Sequence, residues 1–166
     1  MDVFIHETAI IKRSLKTGNH VAIDPYVVSS VPMELGNYVH ISPNVTIIGG
    51  AKTKLTIGNY CFVSAGSTIV CGSEDYTADT MIGALIPEDI RIIKYAPVIF
   101  EDHSGVGANC TVLPGVTLAR GSVIGAGSVV TKDTEPWGVY AGIPAKLIKY
   151  RKHENIDIQE KMLSNT

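Results

Sequence analysis

Apolar residues return along this chain at every sixth position. One series runs Ile5, Ile11, Thr17, Ile23, Ser29, Leu35, Ile41 and Ile47. After a short offset it resumes at Ile57, Val63 and Ile69, and after a longer one at Phe100, Val106, Val112, Leu118, Ile124 and Val130. All but Thr17, Ser29 and Phe100 are Ile, Leu or Val, a density well above the aliphatic share of an ordinary chain. Four positions after each sits a small or medium residue: Ala9, Leu15, Val21, Val27, Met33, Val39 and Val45 early on, then Ser104, Cys110, Val116, Ser122, Ser128 and Thr134. A six-residue period fits neither an amphipathic helix nor an alternating strand. It predicts a parallel β-helix, an all-β coil of short strands with a turn every six residues, its rungs about 4.8 Å apart. One rung cannot bury its own apolar face, so the unit of stability is the stack.

The breaks in the period are as informative as the period. A four-residue insertion falls near residues 48–54 and contains Gly49-Gly50. A long excursion, about residues 70–97, carries Ser73, Glu74, Asp75, Asp79, Glu88 and Asp89. Long departures from a rigid scaffold often carry function. Gly-Asn pairs at 18–19, 36–37 and 58–59 mark turns, where Gly and Asn are expected to supply positive backbone angles. The hexapeptides end at Thr134. The chain thus divides into a β-helix domain over 1–134 and a connection with a capping tail over 135–166. Pro136 and Pro144 argue for an extended connection, and a short helix is predicted from Ala145 onward, closing the open end of the stack.

With 166 residues, of which 45% are hydrophobic, the chain makes one domain with a sizeable core. A net charge of −2 gives no nucleic-acid footprint. No apolar stretch is long enough to span a membrane, and MDVFIHETAI does not read as a signal peptide. Three cysteines without a CxxC pair imply neither a disulfide frame nor a metal site, and fit a cytoplasmic protein with reduced thiols.

The segment VIGAGSVVTKDTEPWGVYAGIPAKLIK, with GVTLARGSVIGAGSVVTKD and AGIPAK inside the wider region, resembles the C-terminal signature of hexapeptide-repeat acetyltransferases. The wording is similar to the galactoside, maltose and sugar O-acetyltransferases, including those serving surface polysaccharides. The likeness is strongest over about residues 35–150. It implies a left-handed β-helix, a homotrimer with active sites between subunits, and acetyl-CoA as donor. It further implies that Ala108 and Ala126 leave room for the pantetheine arm and that Thr131 and Lys132 touch the cofactor. By the same likeness, Lys146 and Lys149 sit near the CoA phosphates as point charges, and Asn44, in SPNVTI, lies near the acceptor. The expected activity is O-acetylation of a sugar hydroxyl, in surface polysaccharide or lipopolysaccharide synthesis.

Two positions depart from that pattern. Glu74, in GSEDY, stands where galactoside-type members open their long loop with a catalytic histidine, and Gly105 stands where the family has a tryptophan. A hydroxyl acceptor gains from a base within hydrogen-bond reach. His103 is one candidate, with an imidazole suited to neutral pH and Asp102 or Glu101 beside it. Glu74 is another, if burial raises its pKa. Asp75 shares both the base and acceptor-contact readings, and His40 lies near Asn44 as an acceptor contact. Three alternatives stay open. The first is an N-acetyltransferase of a nucleotide-linked amino sugar, for which a carboxylate that holds the ammonium suffices. The second is a zinc hydratase, which needs three convergent histidines. His6, His20 and His40 differ in phase, only His20 and His103 share one, and no metal is expected. The third is a non-catalytic scaffold.

Overall fold

A computed structural model describes residues 2–163. The chain winds as a three-sided parallel β-solenoid. The first face stacks Val3–Ile5, Val21–Ile23, Val39–Ile41, Phe62–Val63, Gly105–Val106, Val123–Ile124 and Gly138–Gly142. The second stacks six strands from Ile10–Ile11 to Val129–Val130, and the third five from Leu15–Thr17 to Thr117–Leu118. Strand partners in the first coils lie 18 residues apart, three hexapeptides to a turn. The offset steps to 22 where residues 48–54 are inserted and to 43 across the excursion. It then returns to its first value between Gly105 and Val123.

The six-residue series points inward. Ile23, Ile41, Ile47, Ile57, Val63, Ile69, Phe100, Val106, Val112, Leu118, Ile124 and Val130 are all buried. Each such aliphatic side chain contributes about 1.5–3 kcal/mol. Ile5 is exposed, because among the described residues its coil is paired with one neighbour only. The small residues four positions on serve the corners. The Ser67 hydroxyl donates to the Gly107 carbonyl (3.0 Å) and Ser128 to Gly125 (2.6 Å), satisfying groups that the turn leaves buried. Cys61 and Cys110 do the same more weakly, donating to the Glu101 and Gly125 carbonyls, each at 3.1 Å. Cys61, Cys71 and Cys110 are free and buried, and burial pushes the first two thiols up to about 11.

At the corner between the third and first faces, the glycines of the Gly-Asn pairs do not have positive φ. That angle falls one residue beyond each pair, on His20, Tyr38 and Tyr60, and again on His103. The glycines are needed for close approach instead. The second and third Asn accept from the coil before them: Asn37 Oδ1 from Asn19 N–H and Asn59 Oδ1 from Asn37 N–H, both at 2.8 Å. Asp102 Oδ1 closes the series on Asn59 N–H at 2.6 Å.

The C-terminal segment differs from expectation at its start. Ala145–Tyr150 is a strand, antiparallel to Gly138–Gly142, and this hairpin closes the first face. The helix, α1 (Glu154–Leu163), begins later and buries no residue. It lies against the side of the solenoid rather than over its end. Glu160 there meets His103 at 3.0 Å and Arg120 at 3.3 Å. Parallel stacking meanwhile runs past the last hexapeptide, as Val123 and Ile124 pair with Val139 and Tyr140.

Candidate active site

Both interruptions of the repeat leave the solenoid at one corner, between the second and third faces, in adjacent coils. Ile48, before the short insertion, pairs with Val70, before the long one. Gly49, at φ +151°, lets the insertion lie on the excursion, because a β-carbon on it would stand 2.8 Å from the backbone of Cys71 and Gly72. Lys52 then reaches Glu88 at 2.5 Å and lies 5.4 Å from the Tyr95 ring centre. The excursion itself is an arm. Gly72–Glu74 pairs antiparallel with Ile93–Tyr95, setting Ser73 opposite Lys94, before the chain rejoins the third face at Val98–Phe100.

Between this arm and the corner lies a cleft of about 800 Å³. Its floor is apolar, from Ile48, Val70, Leu113 and Pro114, and its wall carries Ser73, Glu74, Asp75, Tyr76, Thr77, Lys94, Tyr95 and Thr131. An apolar cavity with a few convergent polar groups is the usual form of a small-molecule site. The carboxylates in the wall are engaged. Glu74 Oε1 takes Arg91 Nη1 at 2.6 Å, and Oε2 takes the Gly83 N–H at 2.6 Å. Asp75 Oδ1 takes the Thr77 hydroxyl (2.6 Å) and N–H (3.0 Å), and Oδ2 takes Lys94 Nζ (3.0 Å). The Thr77 donors, then Lys94, hold the Asp75 carboxyl at about 2, well below its ordinary value.

The residues singled out from sequence fall at three different corners, on the first face and on the terminal hairpin. Glu74, Asp75 and Thr131 meet in the cleft, and Lys132 follows Thr131, exposed. Asn44 (φ 60°), Ala108 and Ala126 stack along the corner between the first and second faces, where Gly127 N–H donates to the Ala108 carbonyl at 2.9 Å. Lys146 and Lys149 are exposed on the terminal hairpin, opposite Ala141 and Val139. His40 points outward from the first face and bonds Asp24 at 2.8 Å. His103 is at the third corner, away from the cleft. Its ring stacks on Tyr60 (4.8 Å) and Trp137 (6.1 Å) in a ladder that runs from His20 through Tyr38 and ends at His153. The repeated GNH, GNY, GNY, EDH wording is the sequence signal for that ladder. Gly105 is covered by Phe62 of the preceding coil, whose ring would stand 2.5 Å from an added β-carbon, so the aromatic contact comes from another rung. Lys94, Tyr95, Tyr76 and Arg91 were not singled out, because nothing in the sequence marks the antiparallel register of the arm. Among the described residues no group of three or more His, Cys, Asp or Glu is placed to hold a metal ion.

A pattern described as the hexapeptide repeat of succinyl-transferase matches residues 97–132. The dTDP-4-amino-4,6-dideoxy-D-glucose acyltransferase of Escherichia coli is 34% identical over 149 residues, spanning 88% of this chain and 77% of that protein. The chain belongs to the hexapeptide-repeat acyltransferases. Within that family, the putative lipopolysaccharide biosynthesis O-acetyl transferase WbbJ of Escherichia coli K12 is 40% identical over 77 residues, 46% of this chain and 39% of WbbJ. A variant of AntD, an N-acyltransferase from Bacillus cereus solved with dTDP and coenzyme A, superposes with a TM-score of 0.93 at 26% identity, covering 99% of this chain and 90% of AntD. The parallel β-helix with one arm and one short C-terminal helix is therefore a fold that this chain shares with AntD.

Proposed function

We propose that this acyltransferase moves an acetyl group from acetyl-CoA to the amino group of a nucleotide-linked amino sugar. The observation that carries the proposal is the chemistry of the cleft wall. Among the described residues it holds no imidazole, both Glu74 oxygens are taken by donors, and Asp75 is kept ionised. A sugar hydroxyl gains from a base within reach, and Asp75, held well below its ordinary value by Thr77 and Lys94, is a weak one. A neutral amine is already nucleophilic. It attacks the thioester carbonyl, the C–S bond breaks, and the proton lost from nitrogen leaves with the thiolate. Asp75 then serves to hold the acceptor. The likeness to a dTDP-amino-sugar acyltransferase and to AntD, whose structures contain dTDP and coenzyme A, supports the same acceptor class and a CoA thioester as donor.

Our candidates for contact with acetyl-CoA are Ala108, Ala126, Thr131, Lys132, Lys146 and Lys149, with Asn44 and His40 toward the acceptor. A homotrimer is part of the proposal, because the Ala108–Ala126 corner lies away from the cleft within one chain and a second copy would have to bring the two together. So is a cytoplasmic location, with which three free, buried cysteines are compatible. We assign His103 to packing and not to proton transfer.

The test is release of free CoA thiol by the purified protein, with a dTDP-linked 4-amino sugar set against the 4-hydroxy sugar. The amine is expected to turn over faster by about 100-fold or more, the usual worth of an absent base. The second reading, O-acetylation of a surface polysaccharide sugar, is favoured by the segment shared with WbbJ. It replaces the first if the hydroxyl acceptor is the better substrate. Failure to bind CoA by calorimetry would favour a scaffold.

A further inference from the structure

The arm has no core of its own. From residue 72 to residue 97 no side chain is buried, and Tyr76, Met81, Ile82, Leu85, Ile90 and Ile92 are exposed, Leu85 at 99%. Its shape therefore rests on three backbone pairs and on polar ties. One tie stands apart. Glu74 and Arg91 are 16% and 11% exposed, and they meet at 2.6 Å. The second Glu74 oxygen takes the N–H of Gly83, midway round the loop. Each partner sits beside a stretch that lines the cleft, Asp75–Thr77 after Glu74 and Ile93–Tyr95 after Arg91. Asp75 N–H also donates to the Ile92 carbonyl at 2.9 Å, so the loop is closed at its neck. Such a pair is poor value as stabilisation alone. Desolvating two charges cancels much of their attraction, and Arg91 Nε is left buried without an acceptor.

We infer that Glu74, Arg91 and the Gly83 amide form a positioning clamp that sets the acceptor-facing wall of the cleft. Glu74 acts through the arm rather than on a proton of the substrate. This inference rests on the acyl-transfer reading for its kinetic consequence, though not for its structural one. Substitution of either partner frees the loop, and Asp75, Thr77 and Lys94 lose their common geometry.

The experiment compares Glu74→Gln, Glu74→Ala, Arg91→Met and the Glu74→Ala/Arg91→Met pair in the full chain, with Arg91→Lys as the conservative variant. Chymotryptic nicking near Leu85 is read alongside kcat and KM for a dTDP-linked amino sugar. Glu74→Ala and Arg91→Met are each expected to raise acceptor KM by about tenfold or more with kcat little changed, as misplacement of a binding wall does. Both should speed nicking, the pair should be no worse than either alone, and Arg91→Lys should restore part of the KM. The inference is overturned if Glu74→Gln lowers kcat at constant KM while Arg91→Met is silent, which would make Glu74 a base. It is equally overturned if nicking is the same in every variant. Should no acceptor turn over, the acyl-transfer reading fails, and the nicking comparison still decides the clamp.

Discussion

Gly36 faces the next coil so closely that a β-carbon on it would stand 2.8 Å from Asn59 Oδ1 and 2.8 Å from the carbonyl carbon of Gly58. The backbone atom cannot swing aside, and the Asn59 oxygen is already bonded to the Asn37 amide. Gly36→Ala is therefore expected to destabilise the protein by about 1–3 kcal/mol, the usual cost of overpacking, seen as a lower Tm with an unchanged circular dichroism spectrum. Asp75 gives a second expectation at this scale. Folding lowers its carboxyl from an ordinary value near 4 to about 2. Its contribution is then complete above about pH 4 and disappears as pH falls toward about 2, because the unfolded chain takes up its proton first. The Thr77 amide should keep its hydrogen-exchange protection at pH 5 and lose it across that window. Asp75→Asn should remove the pH dependence. The Gly-Asn pairs were legible in the sequence as turns, but their reason was not. A positive φ is a property of one residue, whereas the contact that requires Gly36 belongs to two coils 22 residues apart.

Among the elements, those repeated every six residues could be read from sequence, since each inward slot repeats the demand made by the slot before it. Those used once could not. Ala145–Tyr150 alternates weakly and carries Lys146 and Lys149, so it passes for the start of a helix. What makes it a strand is the free edge of Gly138–Gly142, beside which it lies. Displaced by that strand, α1 docks through charge. Arg120 reaches Asp157 (3.4 Å) and Glu160 (3.3 Å), and Glu160 reaches His103, with no apolar side chain buried beneath the helix. The Arg120 pairs are exposed, and pairs of that kind are weak and screened by salt. Raising ionic strength from low to high should speed amide exchange throughout Glu154–Leu163 and leave Val98–Phe100, an interior strand of the third face, unchanged.

For the whole molecule, stability is a property of neighbouring rungs. Each coil has full partners only where another lies on either side, so the same side chain is worth different amounts along the axis. The same winding explains how much of the site could be read in advance. Residues meet when they share a corner, so membership depends on counting the two insertions correctly, not on closeness in sequence. Glu74 and Asp75 meet Thr131 across 57 and 56 residues, while His103, nearer in sequence, is carried to another corner and into the aromatic stack. Ile5 and Ile41 occupy equivalent slots in one face, two coils apart, yet Ile5 is 44% exposed and Ile41 fully buried. Ile41→Ala should cost about 2–5 kcal/mol, the range for a truncated core residue. Ile5→Ala should cost well under that, because it removes contacts on one side only and leaves no closed cavity. Hydrogen exchange should follow the same gradient, with Val3–Ile5 and Ile10–Ile11 exchanging by local fraying and Val39–Ile41 exchanging only with global unfolding. Equal losses from the two substitutions would mean that the coils do not stabilise one another in sequence along the axis, and that the first coil is held by something other than the rung beside it.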